Sequence, residues 1–220
     1  MTDRKLQVTV FHALDDAPAG ASRHSVTAES VNVAGRRALR VGLTEAAASG
    51  VPGVDYLDQP TFVLIPADFG NGIAEVDVLS RLADNAPDYA RAFAGLAYRI
   101  TEGLESFEAV YVRPLNGAKV DPPGPRAQRA VQYFAYPEWN FERLREEYPD
   151  GRYESGAHIG PDEWIHLRIE VQDGRLRASV DGIHVLDLAE TKGREARGGI
   201  GLFVDIGTEA FFSNLSITAG

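Results

Sequence analysis

The stretch from Trp164 to Gly182 constrains the fold more than any other. Ile165, Leu167, Ile169 and Val171 fall on one side of an extended run, with Trp164, His166, Arg168 and Glu170 on the other. After Asp173-Gly174, Leu176, Ala178 and Val180 alternate with Arg175, Arg177 and Ser179, and Asp181-Gly182 follows. A period of two joined by two-residue Asp-Gly turns specifies antiparallel hairpins with one buried face. Similar runs recur along the chain. Leu6 to Phe11 is a strand candidate. Ser25 to Leu43 reads as a hairpin turning at Ala34-Gly35, and Thr61 to Pro66 and Ile73 to Leu79 flank the turn Asp68-Phe-Gly-Asn-Gly72. Gly198 to Asp205 and Glu209 to Thr218 add two more. About a dozen short strands with hardly any helix predict an all-β, antiparallel two-sheet sandwich, read as one domain over residues 1–220.

The helical signal is confined to residues 141–148. Asn140 is the N-cap candidate, Phe141, Leu144 and Tyr148 share a face, and Pro149-Asp-Gly151 ends the element. A single helical turn fits within the long connection 44–60. Pro114 to Pro125 contains four prolines and two glycines, so it predicts a surface excursion rather than a strand or helix.

Composition narrows the function classes. The 220 residues carry a net charge of −10, which repels a phosphate backbone, and the arginines of 126–145 are interspersed with Glu138, Glu142, Glu146 and Glu147. Nucleic acid is therefore not an expected partner. Apolar runs such as Phe62-Val-Leu-Ile65 are too short to span a bilayer, so no membrane partner is expected either. The N-terminus as written has no apolar leader segment. This predicts a cytoplasmic chain, with a trimmed extracytoplasmic form as the alternative. There is no cysteine, and the five histidines show no ligand spacing.

The stretch from Phe93 to Tyr148 places polar and aromatic residues where a plain core would carry valine and leucine. It includes Gly95-Leu-Ala-Tyr-Arg99, Phe107-Glu-Ala-Val-Tyr-Val-Arg113-Pro and Val131-Gln-Tyr133. Together with Gly199-Ile-Gly-Leu-Phe-Val204 and Thr208-Glu-Ala-Phe-Phe-Ser-Asn214-Leu, these runs resemble the concanavalin A-like lectin/glucanase superfamily. More narrowly, they resemble its laminin G-like and 3-keto-disaccharide hydrolase-type branch, over roughly residues 25–218 by pattern. The resemblance implies a jelly roll with a convex and a concave sheet, and a glycan lying along the concave face or its rim. Carbohydrate is the implied partner. A glycoside hydrolase-type enzyme and a structural or protein-interaction sandwich are the alternatives.

Within that frame Arg99 shares a strand face with the small residues Gly95 and Ala97, which suits a flat ligand lying close to the sheet. The competing role for Arg99 is an internal ion pair with a neighbouring carboxylate such as Glu108. Tyr111 and Arg113 share one face of the next strand, and Glu108 takes the other. Gln132 and Tyr133 point apart on the third, and Asn116 sits at the rim. Tyr136, Trp139 and Tyr148 are candidates to stack on sugar rings or to pin the helix. Glu108 is the candidate catalytic carboxylate. Glu75-Val-Asp77-Val-Leu-Ser80 resembles the Glu-x-Asp-x-x-Glu strand of family-16 glucanases, but Ser80 replaces the acid, so Glu75 and Asp77 read as solvent-facing. Asp205, beside Gly207-Thr208, is a candidate calcium ligand; no other cofactor is expected.

Overall fold

The computed structural model describes residues 8–194 and 196–220. In chain order the strands are β1 (Val8–His12), β2 (Ser22–His24), β3 (Val26–Val33), β4 (Arg36–Leu43), β5 (Phe62–Phe69), β6 (Gly72–Leu82), β7 (Ala94–Ile100) and β8 (Phe107–Val112). They continue with β9 (Val131–Tyr136), β10 (Glu154–Ser155), β11 (Ile165–Gln172), β12 (Arg175–Val180), β13 (Ile183–Leu188), β14 (Gly198–Val204) and β15 (Thr208–Ala219). Two short helices, α1 (Glu45–Ala48) and α2 (Phe141–Glu147), lie in the connections. No helix among the described residues is long and apolar enough to cross a membrane.

The strands form two antiparallel sheets. The first has the order β13-β12-β11-β6-β15-β4-β3, with β1 on the C-terminal half of β15. The second has the order β10-β9-β8-β7-β14-β5-β2. The anticipated hairpins are present. Asp173 and Asp181 take left-handed φ of 51° at the β11–β12 and β12–β13 turns, and Ala34-Gly35 turns β3 into β4. The first strand begins at Val8, and Leu6 and Gln7 lie outside the described residues. Asn140 caps α2 as anticipated, its side-chain oxygen accepting from the Arg143 N–H at 2.9 Å.

The two sheets differ in burial. In β11 and β12 burial alternates, as the period-two pattern requires, and the polar side faces water. There Glu75 pairs with Arg168, and Asp77 with Arg36 and His166, so this acidic pair is a solvent-facing ion-pair network. In β7 and β8 every residue is buried. One face of the second sheet packs on the first sheet. The other carries Phe62, Phe107, Tyr111, Phe134 and Phe203 in edge or tilted contact. A roof of loops covers it, with Asp58, Phe93 and α2's Phe141 closing over Tyr111 and Arg113. Each of these aromatic side chains contributes about 1.5–3 kcal/mol by leaving water. The centre of this face is therefore filled by protein. Gly95 and Ala97 make room for neighbours, not for a flat ligand: a Cβ at Gly95 would run into the Val110 carbonyl and Tyr111.

Candidate functional site

The nine candidate residues separate into three groups. The first is a closed polar cluster. Between β14 and β7 the register shifts, so that Tyr98 and Arg99 together oppose Ile200, and Arg99 takes a φ of 52°. This bulge turns Arg99 off the face that simple alternation assigns it and brings it to Glu108. Arg99 donates Nη1 to Glu108 at 2.8 Å, Nε to the Gly70 carbonyl at 2.7 Å and Nη2 to Asn71 at 3.0 Å. Glu108 also accepts the Tyr133 hydroxyl, whose oxygen accepts the backbone N–H groups of Lys192 and Gly193. Among the described residues of this cluster, the Tyr98 hydroxyl, in the pair position opposite Glu108, lacks a partner. The internal ion pair is thus the arrangement Arg99 and Glu108 adopt. Glu108 is 1% exposed, with its carboxylate already engaged.

The second group packs around α2. Tyr136 stacks on Phe107 with centroids 5.0 Å apart, and the Trp139 ring has the Arg143 guanidinium 4.0 Å above it and Lys192 at 5.3 Å. Tyr148 touches Trp139 and Tyr153. These rings fasten the helix and are not free platforms. Gln132 is fully buried beside Tyr111 in the adjacent strand, donating to the Tyr133 and Tyr153 carbonyls.

Tyr111, Arg113 and Asn116 form the third group. They line a cavity of about 220 Å³ under the roof, together with Asp58, Phe93 and Phe141. The Leu57-Asp58 turn that reaches it has consecutive left-handed φ angles of 67° and 57°. Such a conformation is costly for non-glycine residues and forms a nest of N–H groups. The nest holds Asp205 at the end of β14: the N–H groups of Leu57 and Asp58 each donate to its carboxylate at 3.0 Å, and its own neighbour Ile206 donates a third. Asp205 therefore anchors a turn. Its oxygens face N–H donors, which corrects its assignment as a calcium ligand. Among the described residues no group of three or more acidic or histidine side chains is gathered for a metal.

Asp58 in turn accepts the Phe141 N–H at 2.7 Å and the Tyr111 hydroxyl at 3.3 Å, and Tyr111 accepts Arg113 Nη2 at 2.7 Å. Burial, and then the neighbouring Asp205 charge, push the Asp58 carboxyl up to about 7. Burial alone pulls the Arg113 guanidinium down, but Tyr111, Glu154 and Asp58 hold it above the usual arginine value. Arg113 and Asn116 are nine-tenths buried or more, and each keeps one polar atom, Nε and Oδ1 respectively, without a partner. Buried polar atoms are normally hydrogen-bonded, so two orphans on one cavity set it apart as the candidate binding place.

The model of the 3-keto-alpha-glucoside-1,2-lyase-like domain matches residues 62–218. The chain belongs to this family. The matched segment holds all the strands of the second sheet except β2, and Asp58 stands just ahead of it. No curated protein sequence matches the chain. Among solved structures, the carbohydrate-binding module CBM66 from Bacillus subtilis superposes with a TM-score of 0.51 at 14% identity, over 89% of this chain and 96% of that one. A protein of unknown function with a galectin-like fold, also from Bacillus subtilis, gives 0.56 at 10% identity, over 95% and 94%. The Crh5 transglycosylase gives 0.54 at 10% identity, over 96% and 84%. At such identities the likeness is one of fold, and it agrees with the concanavalin A-like sandwich.

Larger depressions lie elsewhere, two of them of about 680 and 660 Å³. The first runs along Arg40 and Glu209, which pair with each other, and past Tyr56 and Tyr89, whose hydroxyls meet at 3.1 Å. The second ends on the fully partnered Arg99. Their principal polar groups are already paired. The sequence alone did not single out Asp58, Phe93, Phe141 and the arginines of the roof, which also line this cavity of about 220 Å³. The signals available for them were the long ordered connection 44–60 and the proline-rich excursion.

Proposed function

We propose that this protein binds carbohydrate, and that one sugar ring or chain end enters the roofed cavity. The observation that carries this reading is the pair of unpartnered buried atoms, Arg113 Nε–H and Asn116 Oδ1, on one small cavity. The first offers a donor and the second an acceptor, which is what neighbouring sugar hydroxyls require. Phe93, Tyr111 and Phe141 supply apolar surface for the ring's C–H faces. A space of about 220 Å³ lies below the range of sites for larger ligands, which suits a single ring over an oligosaccharide. The glucoside chemistry in the family's name and the CBM66-like fold support the same reading. Calorimetric titration with monosaccharides and methyl glycosides tests it. Asn116→Ala should weaken binding about tenfold or more, the scale of one hydrogen bond whose partner stays buried. Undiminished binding by that variant would reject the site.

One observation favours an enzymatic second reading. Asp58, raised to about 7, sits in the cavity against the Tyr111 hydroxyl. A carboxyl balanced near neutrality suits proton transfer. Elimination across C1 and C2 of a 3-keto glucoside takes the C2 proton beside the ketone and expels the C1 oxygen. In this reading Asp58 receives that proton, and Arg113 and Tyr111 lie beside the developing charge. Glu108, held by Arg99 and Tyr133 outside the cavity lining, is not placed for this role. Full turnover of a 3-keto glucoside by Asp58→Asn would exclude it.

A further inference from the structure

The −10 net charge conceals a local reversal. Arg91, Arg113, Arg126, Arg129 and Arg145 all line the roofed cavity. Arg113, Arg129 and Arg145 converge on a single carboxylate, Glu154, at 2.9, 3.4 and 2.5 Å. Arg91 donates only to the backbone carbonyls of Asp88 and Ala90, and neither it nor Arg126 has a carboxylate partner among the described residues. The two acids on the lining are already engaged, Asp205 by three backbone N–H groups and Asp58 by Phe141 and Tyr111. Five arginines thus gather around Glu154, Asp205 and Asp58, with Asp88 near Arg91 outside the lining, so positive charge exceeds negative in one small space. Burial and then the nearness of Arg126 and Arg113 hold the Arg91 guanidinium below its usual value, as expected where like charges crowd.

Crowded cations without counter-charges raise the energy of the empty cavity, and a ligand that brings negative charge relieves it. The guanidinium fork suits a planar or tetrahedral oxyanion. A neutral sugar would satisfy the orphan atoms but leave this charge uncompensated. Resting on the carbohydrate reading above, we propose that the sugar this cavity takes is acidic. Its ring carries a carboxylate, sulfate or phosphate that sits among Arg91, Arg113 and Arg126.

The test is calorimetric titration at low salt with glucose, glucuronate, glucose 6-phosphate and inorganic phosphate, repeated with galactose and galacturonate. At least one acidic sugar should bind about tenfold or more tightly than its neutral counterpart, the scale of one charge-assisted hydrogen bond. In the double variant Arg91→Gln/Arg126→Gln the ratio of acidic to neutral affinity should fall to about one. Neither arginine has a carboxylate to strand, so the variant's melting temperature should stay near the parent's. Equal affinity for acidic and neutral sugars would overturn the inference and leave sugar binding standing. Inorganic phosphate binding as tightly as glucose 6-phosphate would overturn it in favour of an ion site. No binding by any sugar would overturn the carbohydrate reading and the inference together.

Discussion

Arg99 and Arg113 lie at the ends of neighbouring strands of one sheet, each nearly buried and each within 3 Å of a buried glutamate, Glu108 at 2.8 Å and Glu154 at 2.9 Å. Around Arg99 the guanidinium's three nitrogens all have acceptors, and Glu108 is closed off in turn by Tyr133. Around Arg113 the Nε is left over, Asn116 adds an unpartnered oxygen, and three arginines share one carboxylate. The same residue types at the same depth thus serve two ends. Around Arg99 the ions are matched and hold strands together, with only the Tyr98 hydroxyl left over; around Arg113 both atoms and charge are unmatched on a cavity, which is the feature the proposed function rests on.

The largest test of this contrast is stability. Arg99→Ala strands Glu108, 1% exposed, and should cost about 3–5 kcal/mol in urea unfolding. Arg113→Ala leaves Glu154 with Arg129 and Arg145, so it should cost less, about 1–3 kcal/mol, while abolishing sugar binding. Equal losses of stability would break the comparison.

Next in size is a pH effect confined to the cavity. Asp58 rises from 3.8 in the unfolded chain to about 7 in the folded one. Below the lower value it is protonated in both states. Between the two, the folded protein keeps a proton that the unfolded chain releases, so this group lowers stability as pH rises, by about 1.4 kcal/mol per pH unit. Above about 7 the effect levels off. Asp58→Asn removes it, so the variant's stability relative to the parent should climb through that window and then flatten. A difference independent of pH would show that Asp58 is not held protonated there.

The smallest effect should come from Trp139→Ala. The ring is covered by Arg143 and does not line the cavity, so affinity should stay within about twofold, with a stability loss of about 1 kcal/mol for the lost packing and cation–π contact. Loss of binding would move the site toward α2.

The sandwich was legible because alternation, Asp-Gly turns and the Asn140 cap are local signals, each readable within a few residues. The candidate site was legible in part. Tyr111, Arg113 and Asn116 stood out as polar residues in an apolar block, and they do line the cavity. The sequence left Arg99 between a ligand-facing role and an ion pair with Glu108, because the bulge opposite Ile200 that decides it depends on how β14 pairs with β7, a register that no single strand encodes. The charge surplus was hidden by mixing. In sequence Arg126, Arg129 and Arg145 are interspersed with Glu138, Glu142, Glu146 and Glu147. In space these glutamates are exposed while the arginines turn inward. Arg91 and Asp58 come from distant loops and meet the others only through the roof.

Three arginines ending on Glu154 also shape how this chain can change over generations. Loss of any one of Arg113, Arg129 or Arg145 leaves the carboxylate two partners, so the charge of Glu154 is buffered against single substitutions. A second loss falls on a pair already depended upon, and its cost should exceed the sum of the separate effects. Exchange of Glu154 itself strands three cations at once. Drift at these arginines is therefore epistatic, and position 154 should vary more slowly than Arg129 or Arg145.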